Sequence, residues 1–124
     1  MKQKVIGNFY MGYTQYQLVL REGTDGEFYL CPGDGEIPRI KIGADYKTWQ
    51  EVVTVLLHEA YEACLSVNKC RMQVTEDLSN DHSGYVFLMT HVQFSDCCAR
   101  VSEFITEALP KLATEWKRFK KKKV

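Results

Sequence analysis

Three side chains of the segment His58-Glu59-Ala60-Tyr61-Glu62 are of the types that bind metals and move protons. On a helix, residues four apart lie one above the other, so the His58 imidazole and the Glu62 carboxylate point into the same space. That is a two-point clamp for a cation. Glu59 follows about 100° around the helix, close enough to reach a metal-bound water without having to coordinate. A His-Glu pair on a helix is the arrangement used when zinc polarises a water and a carboxylate removes its proton. In the usual form the fifth position is a second histidine, and here it is Glu62. A catalytic zinc needs three protein ligands and an open position, so a downstream residue has to complete the set. His91 is the expected third ligand, because it opens a second helix directly after an apolar run. His58, Glu62 and His91 would then hold zinc while Glu59 serves as general base. Asp96 and Glu103, further along that helix, can support or replace the ligands. The same spacing equally describes an exposed i,i+4 ion pair worth a few tenths of a kcal/mol, with Glu59 solvated and His91 filling a first turn.

Other reactive residues carry weaker signals. Cys64 with Cys70, and Cys97 with Cys98, miss the C-x-x-C spacing of structural zinc and read as buried thiols. His82 lies in a polar stretch with no nucleophile near it. Gly33 and Gly35 do not make a dinucleotide fingerprint, since no helix opens directly after them and the third glycine is missing.

The elements that must position these residues follow from periodicity. Val5 to Gly12 and Tyr16 to Arg21 alternate as strands, with Tyr16, Leu18 and Leu20 on one face and Gln15, Gln17 and Val19 on the other. Residues 22–26 are turn chemistry, Phe28 to Leu30 resumes the sheet, and the glycines and prolines of residues 31–38 make an irregular loop. Arg39 to Ile42 is a short strand. From Tyr46 to Val67 apolar residues recur at helical spacing, with Asp45 as the expected N-cap and Asn68 as the stop. Cys70 to Val74 alternates as a strand, residues 77–84 form a polar loop, and Tyr85 to Met89 reads as an interior strand. Thr90-His91-Val92-Gln93 is a capping box that opens a second helix, which Pro110 is expected to kink or restart. The order β-β-β-β-α-β-β-α predicts an α+β domain, a mainly antiparallel sheet with two long helices packed on one side.

With 124 residues, 45% hydrophobic and 26% charged, residues 1–119 suffice for one domain with its own core. No apolar run is long enough to cross a bilayer, and residues 1–8 lack the apolar segment of a signal peptide. Together with five cysteines, an odd number, this predicts a cytoplasmic protein with no membrane association. The formal charge is zero, but six of the 16 basic residues (Lys117, Arg118, Lys120, Lys121, Lys122 and Lys123) fall in the last eight positions. Residues 1–116 therefore hold 10 basic against 16 acidic side chains, a formal −6. A mildly acidic domain ends in a basic tail, residues 120–124, which is either a nucleic-acid contact or a solvated end.

The stretch Ile40 to Glu62, a strand, a Gly-Ala-Asp turn and a helix carrying Leu56-Leu57-His58-Glu59, resembles the core of compact zincin-like domains. Small bacteriophage and prophage proteins and the IrrE and SprT groups use a strand followed by a Leu-His-Glu helix in this way. The resemblance covers residues 37–119. It implies His58 as a metal ligand, Glu59 as general base, zinc as cofactor, and a metallopeptidase acting on a protein or peptide. Glu62 departs from the histidine of those families. The alternative is a non-catalytic phage-type binding or inhibitor protein with a degenerate metal site.

Overall fold

The computed structural model describes residues 2–30, 35–73 and 85–122. The expected loop at residues 31–34, the polar loop with His82, and Lys123 lie outside the described residues. Among the described residues eight elements follow in the order expected from the sequence: β1 (Gln3–Met11), β2 (Thr14–Arg21), β3 (Gly26–Tyr29), β4 (Arg39–Gly43), α1 (Trp49–Val67), β5 (Arg71–Gln73), β6 (Tyr85–Phe87) and α2 (His91–Lys122).

The strands form two sheets, one of four strands in the order β1-β2-β4-β3 and one of β5 with β6. Three of the four pairings are antiparallel, while β2 and β4 run parallel, with Leu18 opposite Ile40 and Leu20 opposite Ile42. The β2 alternation is as expected: Tyr16, Leu18 and Leu20 are buried against the helices. Val19, on the opposite face, is buried as well.

One hydrophobic core joins this sheet face to both helices, through Val52, Leu56 and Ala60 of α1 and Val101, Phe104, Ala108 and Leu112 of α2. α1 lies over β3 and β4, and α2 over β1 and β2. Phe104 meets Phe9 and Tyr16 edge-on, with centroids 6.0 and 6.4 Å away. The architecture is therefore α+β with a mostly antiparallel main sheet. No described helix is long and apolar enough to cross a membrane.

Both helices are capped by side chains, one of them not the residue expected. Thr48, not Asp45, caps α1, its side chain accepting from Glu51 N at 3.2 Å. Asp45 instead accepts from Gly23 N at 2.6 Å, tying the β2–β3 turn to the end of β4. A long-range bond thus claimed the carboxylate that local sequence assigned to the helix. α1 ends at Asn68 as expected, and Lys69 follows in the left-handed region with φ 60°. Lys69 N donates to Ser66 O and Cys70 N to Leu65 O, the two bonds of a Schellman motif built without glycine.

The capping box forms at α2: Thr90 N donates to Gln93 Oε1 at 2.8 Å and Gln93 N to Thr90 Oγ1 at 3.1 Å. α2 then runs as one helix through Pro110 to Lys122. The amide that proline lacks would have bonded the Thr106 carbonyl, and both residues are on the exposed side, so the missing bond leaves no buried carbonyl. Tyr85 to Met89 is not an interior strand. β6 stops at Phe87, and Tyr85, Phe87, Leu88 and Met89 are all exposed, with no layer over the small second sheet among the described residues.

Candidate metal site on the first helix

α1 presents His58, Glu59 and Glu62 on the side that looks toward β3 and β5. One ligand atom from each lies within 4.8 Å of the other two. His58 Nε2 is 3.1 Å from Glu62 Oε2. Two ligands each about 2.1 Å from a tetrahedral ion sit roughly 3.4 Å apart, so this pair has the separation of a metal clamp without rearrangement. The donors, one imidazole and two carboxylates, are of the kinds that suit zinc and similar divalent ions.

The three side chains differ in environment. His58 is open to solvent, its side chain 68% exposed, and Glu62 is partly covered at 20%. Glu59, at 7%, is the buried charged residue among the described side chains. Burial pushes the Glu59 carboxyl above its ordinary range; His58 pulls it back down and the nearby Glu62 carboxylate pushes it further up. A buried carboxylate is costly to keep, and perturbed acids of this kind collect at functional sites.

Glu59 is accommodated by a residue that periodicity read only as part of a turn. A Cβ at Gly26, the first residue of β3, would lie 2.6 Å from Val55 Cγ1, 2.9 Å from Glu59 Cγ and 3.0 Å from Glu59 Oε1. β3 reaches α1 at this point only because position 26 has no side chain. The small sheet contributes Arg71, whose Nη2 lies 3.7 Å from Glu62 Oε1 and whose guanidinium stacks 3.7 Å from the Tyr85 ring centroid. Phe87 joins His58, Leu57, Tyr61 and Glu62 in lining a groove of about 290 Å³. Neither Gly26, Arg71 nor Phe87 carries a signal in the sequence, since each reaches the site through sheet pairing.

His91 does not join the cluster. α1 and α2 are antiparallel: Trp49 meets Trp116, Tyr61 Oη lies 4.0 Å from Cys98 Sγ, and Asn68 Nδ2 lies 3.4 Å from Asp96 Oδ2. His91, at the exposed first position of α2, falls past the end of α1, roughly 15–24 Å from His58 along the axis at 1.5 Å per residue. Asp96 and Glu103 are engaged elsewhere, Asp96 with Arg100 at 2.8 Å and Glu103 with Gly12 N at 3.0 Å. The group that comes together is thus His58, Glu59 and Glu62.

Three of the four described cysteines are buried thiols, and Cys98 is half-buried. Cys64, Cys70 and Cys97 are buried and all are unpaired by disulfides. Burial, with a hydrogen bond to Cys64, pushes the Cys97 thiol up to about 12, and burial raises Cys64 too, so both stay protonated and unreactive.

Comparison with protein-family models, curated proteins and solved structures finds no match to this chain.

Proposed function

We propose that this chain is a small zincin-like protein that binds a divalent cation, zinc, with His58 and Glu62 as two of the three protein ligands a catalytic zinc needs, and acts as a metal-dependent peptidase with Glu59 as its base. The observation that carries the reading is the convergence of His58, Glu59 and Glu62 within 4.8 Å, with the carboxylate that has no exposed role, Glu59, buried beside the clamp. Zinc, when bound, supplies a polarised water. His58 and Glu62 would hold the ion. Glu59, held by its burial at a higher proton affinity than a free glutamate, is suited to take a proton from that water and return it to a leaving amine. β3 supports the choice of a peptide: it is the last strand of its sheet, next to Glu59, and its outer edge is unpaired among the described residues. An extended chain can add to such an edge through main-chain bonds.

Dialysed protein titrated with zinc, followed by calorimetry, tests the binding step. Stoichiometric uptake with micromolar or tighter affinity is expected, and His58→Ala and Glu62→Ala each weaken it at least about tenfold. Glu59→Gln separates the roles: retained zinc with lost hydrolysis marks a base, whereas lost zinc marks a third ligand. Absence of zinc uptake by the wild-type chain ends the proposal.

A further inference from the structure

We infer that the turns of α2 from Lys111 to Lys122 form a docking face for the phosphate backbone of a nucleic-acid duplex. Six basic side chains stand on them: Lys111, Lys117, Arg118, Lys120, Lys121 and Lys122. At 100° per residue all but Lys120 fall within an arc of about 140°, and those five are exposed. The buried Leu112 and Phe119 lie outside that arc. Phe119 is 4% exposed, Trp116 Nε1 donates to Ala44 O at 3.0 Å, and Lys120 stands over the Trp116 ring at 5.3 Å. The helix that presents the charges is therefore packed on the body and is not a solvated end. A partner meets a formed face, without the entropy cost of ordering a loose segment.

One acid shares this stretch, and it is neutralised. Glu115 Oε1 accepts from Arg118 at 2.7 Å, its Oε2 lies 3.0 Å from Lys4 Nζ of β1, and the bond from Lys4 holds its carboxyl below the ordinary range. With Lys4 the face has seven cations against one carboxylate, a formal +6 on a chain whose net charge is zero. Lys117, Lys121 and Lys122 pair with no carboxylate among the described residues. Lysines of the last turn also offset the helix dipole, but Lys111 and Lys117 stand before that turn. Between Lys111 and Arg118, beside Ile6 of β1 and Thr114, a groove of about 330 Å³ leaves a recess flanked by two cations.

The composition of the face selects a nucleic acid over an acidic protein or an anionic membrane. Five of the six basic residues on these turns are Lys, the residue depleted from protein–protein interfaces. A helix held at a bilayer surface sinks an apolar face into it. None of the 12 large apolar side chains exposed among the described residues lies on 95–122, because the apolar face of α2 is packed into the core. The same lack of exposed rings leaves no platform for stacking single-stranded bases. The contact that remains is with the backbone of a duplex, without base reading. Lys111 to Lys122 spans about 16 Å of helix axis, over which a duplex carries about ten charges, roughly half of them facing the protein.

Fluorescence anisotropy of a labelled DNA duplex of about 20 base pairs and arbitrary sequence, titrated with the full chain at about 50 to 200 mM NaCl, tests the inference. Micromolar or tighter binding is expected at the lower salt, with a loss of roughly 150- to 500-fold across the range, as four to five phosphate contacts require. Lys117→Gln combined with Lys121→Gln should reduce the slope of log K against log salt by about 2 and weaken binding at the lower salt at least about tenfold. Circular dichroism and thermal unfolding should not change, because both side chains are exposed. Lys117→Gln alone should reduce the slope by about 1 and serves if the double variant does not fold. Lys41→Gln, opposite Val19 on the sheet face turned away from both helices, should leave affinity and slope intact. Absence of binding at the lower salt overturns the inference, as does a slope unaffected by Lys117→Gln. Equal or tighter association with phosphatidylserine vesicles, compared at the same salt and equal accessible charge, overturns it in favour of a membrane.

Discussion

At one end of the α1–α2 pair Trp49 and Trp116 stack with centroids 5.6 Å apart, and Trp116 Nε1 donates to Ala44 O at 3.0 Å. At the other end Val67, Leu88, Val92 and Phe94 stand in water. Both ends are rich in large apolar residues, and what separates them is the sheet. Under most of the helix pair the four-stranded sheet supplies Tyr16, Leu18, Leu20, Ile40 and Ile42. Beyond it the described residues offer two three-residue strands. A helix repeats its apolar stripe as far as the sequence allows, but burial stops where the second layer stops. The candidate metal site lies at the boundary between the two regions, with β3 covering Glu59 and the small sheet bringing Arg71 to Glu62.

The contrast is sharpest in a pair of truncations. Phe104→Ala empties a fully buried site between Phe9 and Tyr16 and should cost about 3–5 kcal/mol in urea unfolding. Phe94→Ala, at a side chain 51% exposed, should cost under about 1 kcal/mol. Equal losses would break the comparison. Gly26→Ala comes next: its Cβ meets Val55 and Glu59 at under 3 Å, so a loss of about 1–3 kcal/mol is expected, together with altered zinc affinity as Glu59 is displaced. A smaller effect of opposite sign is expected at Lys69, where φ 60° disfavours any side chain; Lys69→Gly should stabilise the α1 exit by about 1 kcal/mol.

Glu59→Gln changes the slope of the stability curve with pH. Burial raises the folded-state proton affinity of Glu59 above its ordinary 4.5, so the native chain holds this proton more tightly than the unfolded one. The stabilisation this provides is complete below the ordinary value and is lost as pH rises through the raised one. Urea midpoints of the metal-free protein should therefore fall less over that window in Glu59→Gln than in wild type. Parallel profiles would show that Glu59 is not held out of water.

Local chemistry determined a large share of this molecule. The eight elements and their order, the inward face of β2, the Asn68 stop and the Thr90–Gln93 capping box all follow from side-chain period and from bonds spanning three or four residues. So does the approach of His58 to Glu62, because one turn of helix sets it. Tertiary structure decided whatever depends on residues far apart in the chain. It paired β2 parallel to β4, gave Asp45 to Gly23 instead of the helix, and carried α2 through Pro110 on its solvent side. It also left β6 exposed and set Gly26 and Arg71 against the His58–Glu59–Glu62 cluster while the antiparallel helices kept His91 away. Periodicity reports which face of an element is apolar. Which face meets which, and where the opposing layer ends, is set by long-range pairing that no local pattern encodes.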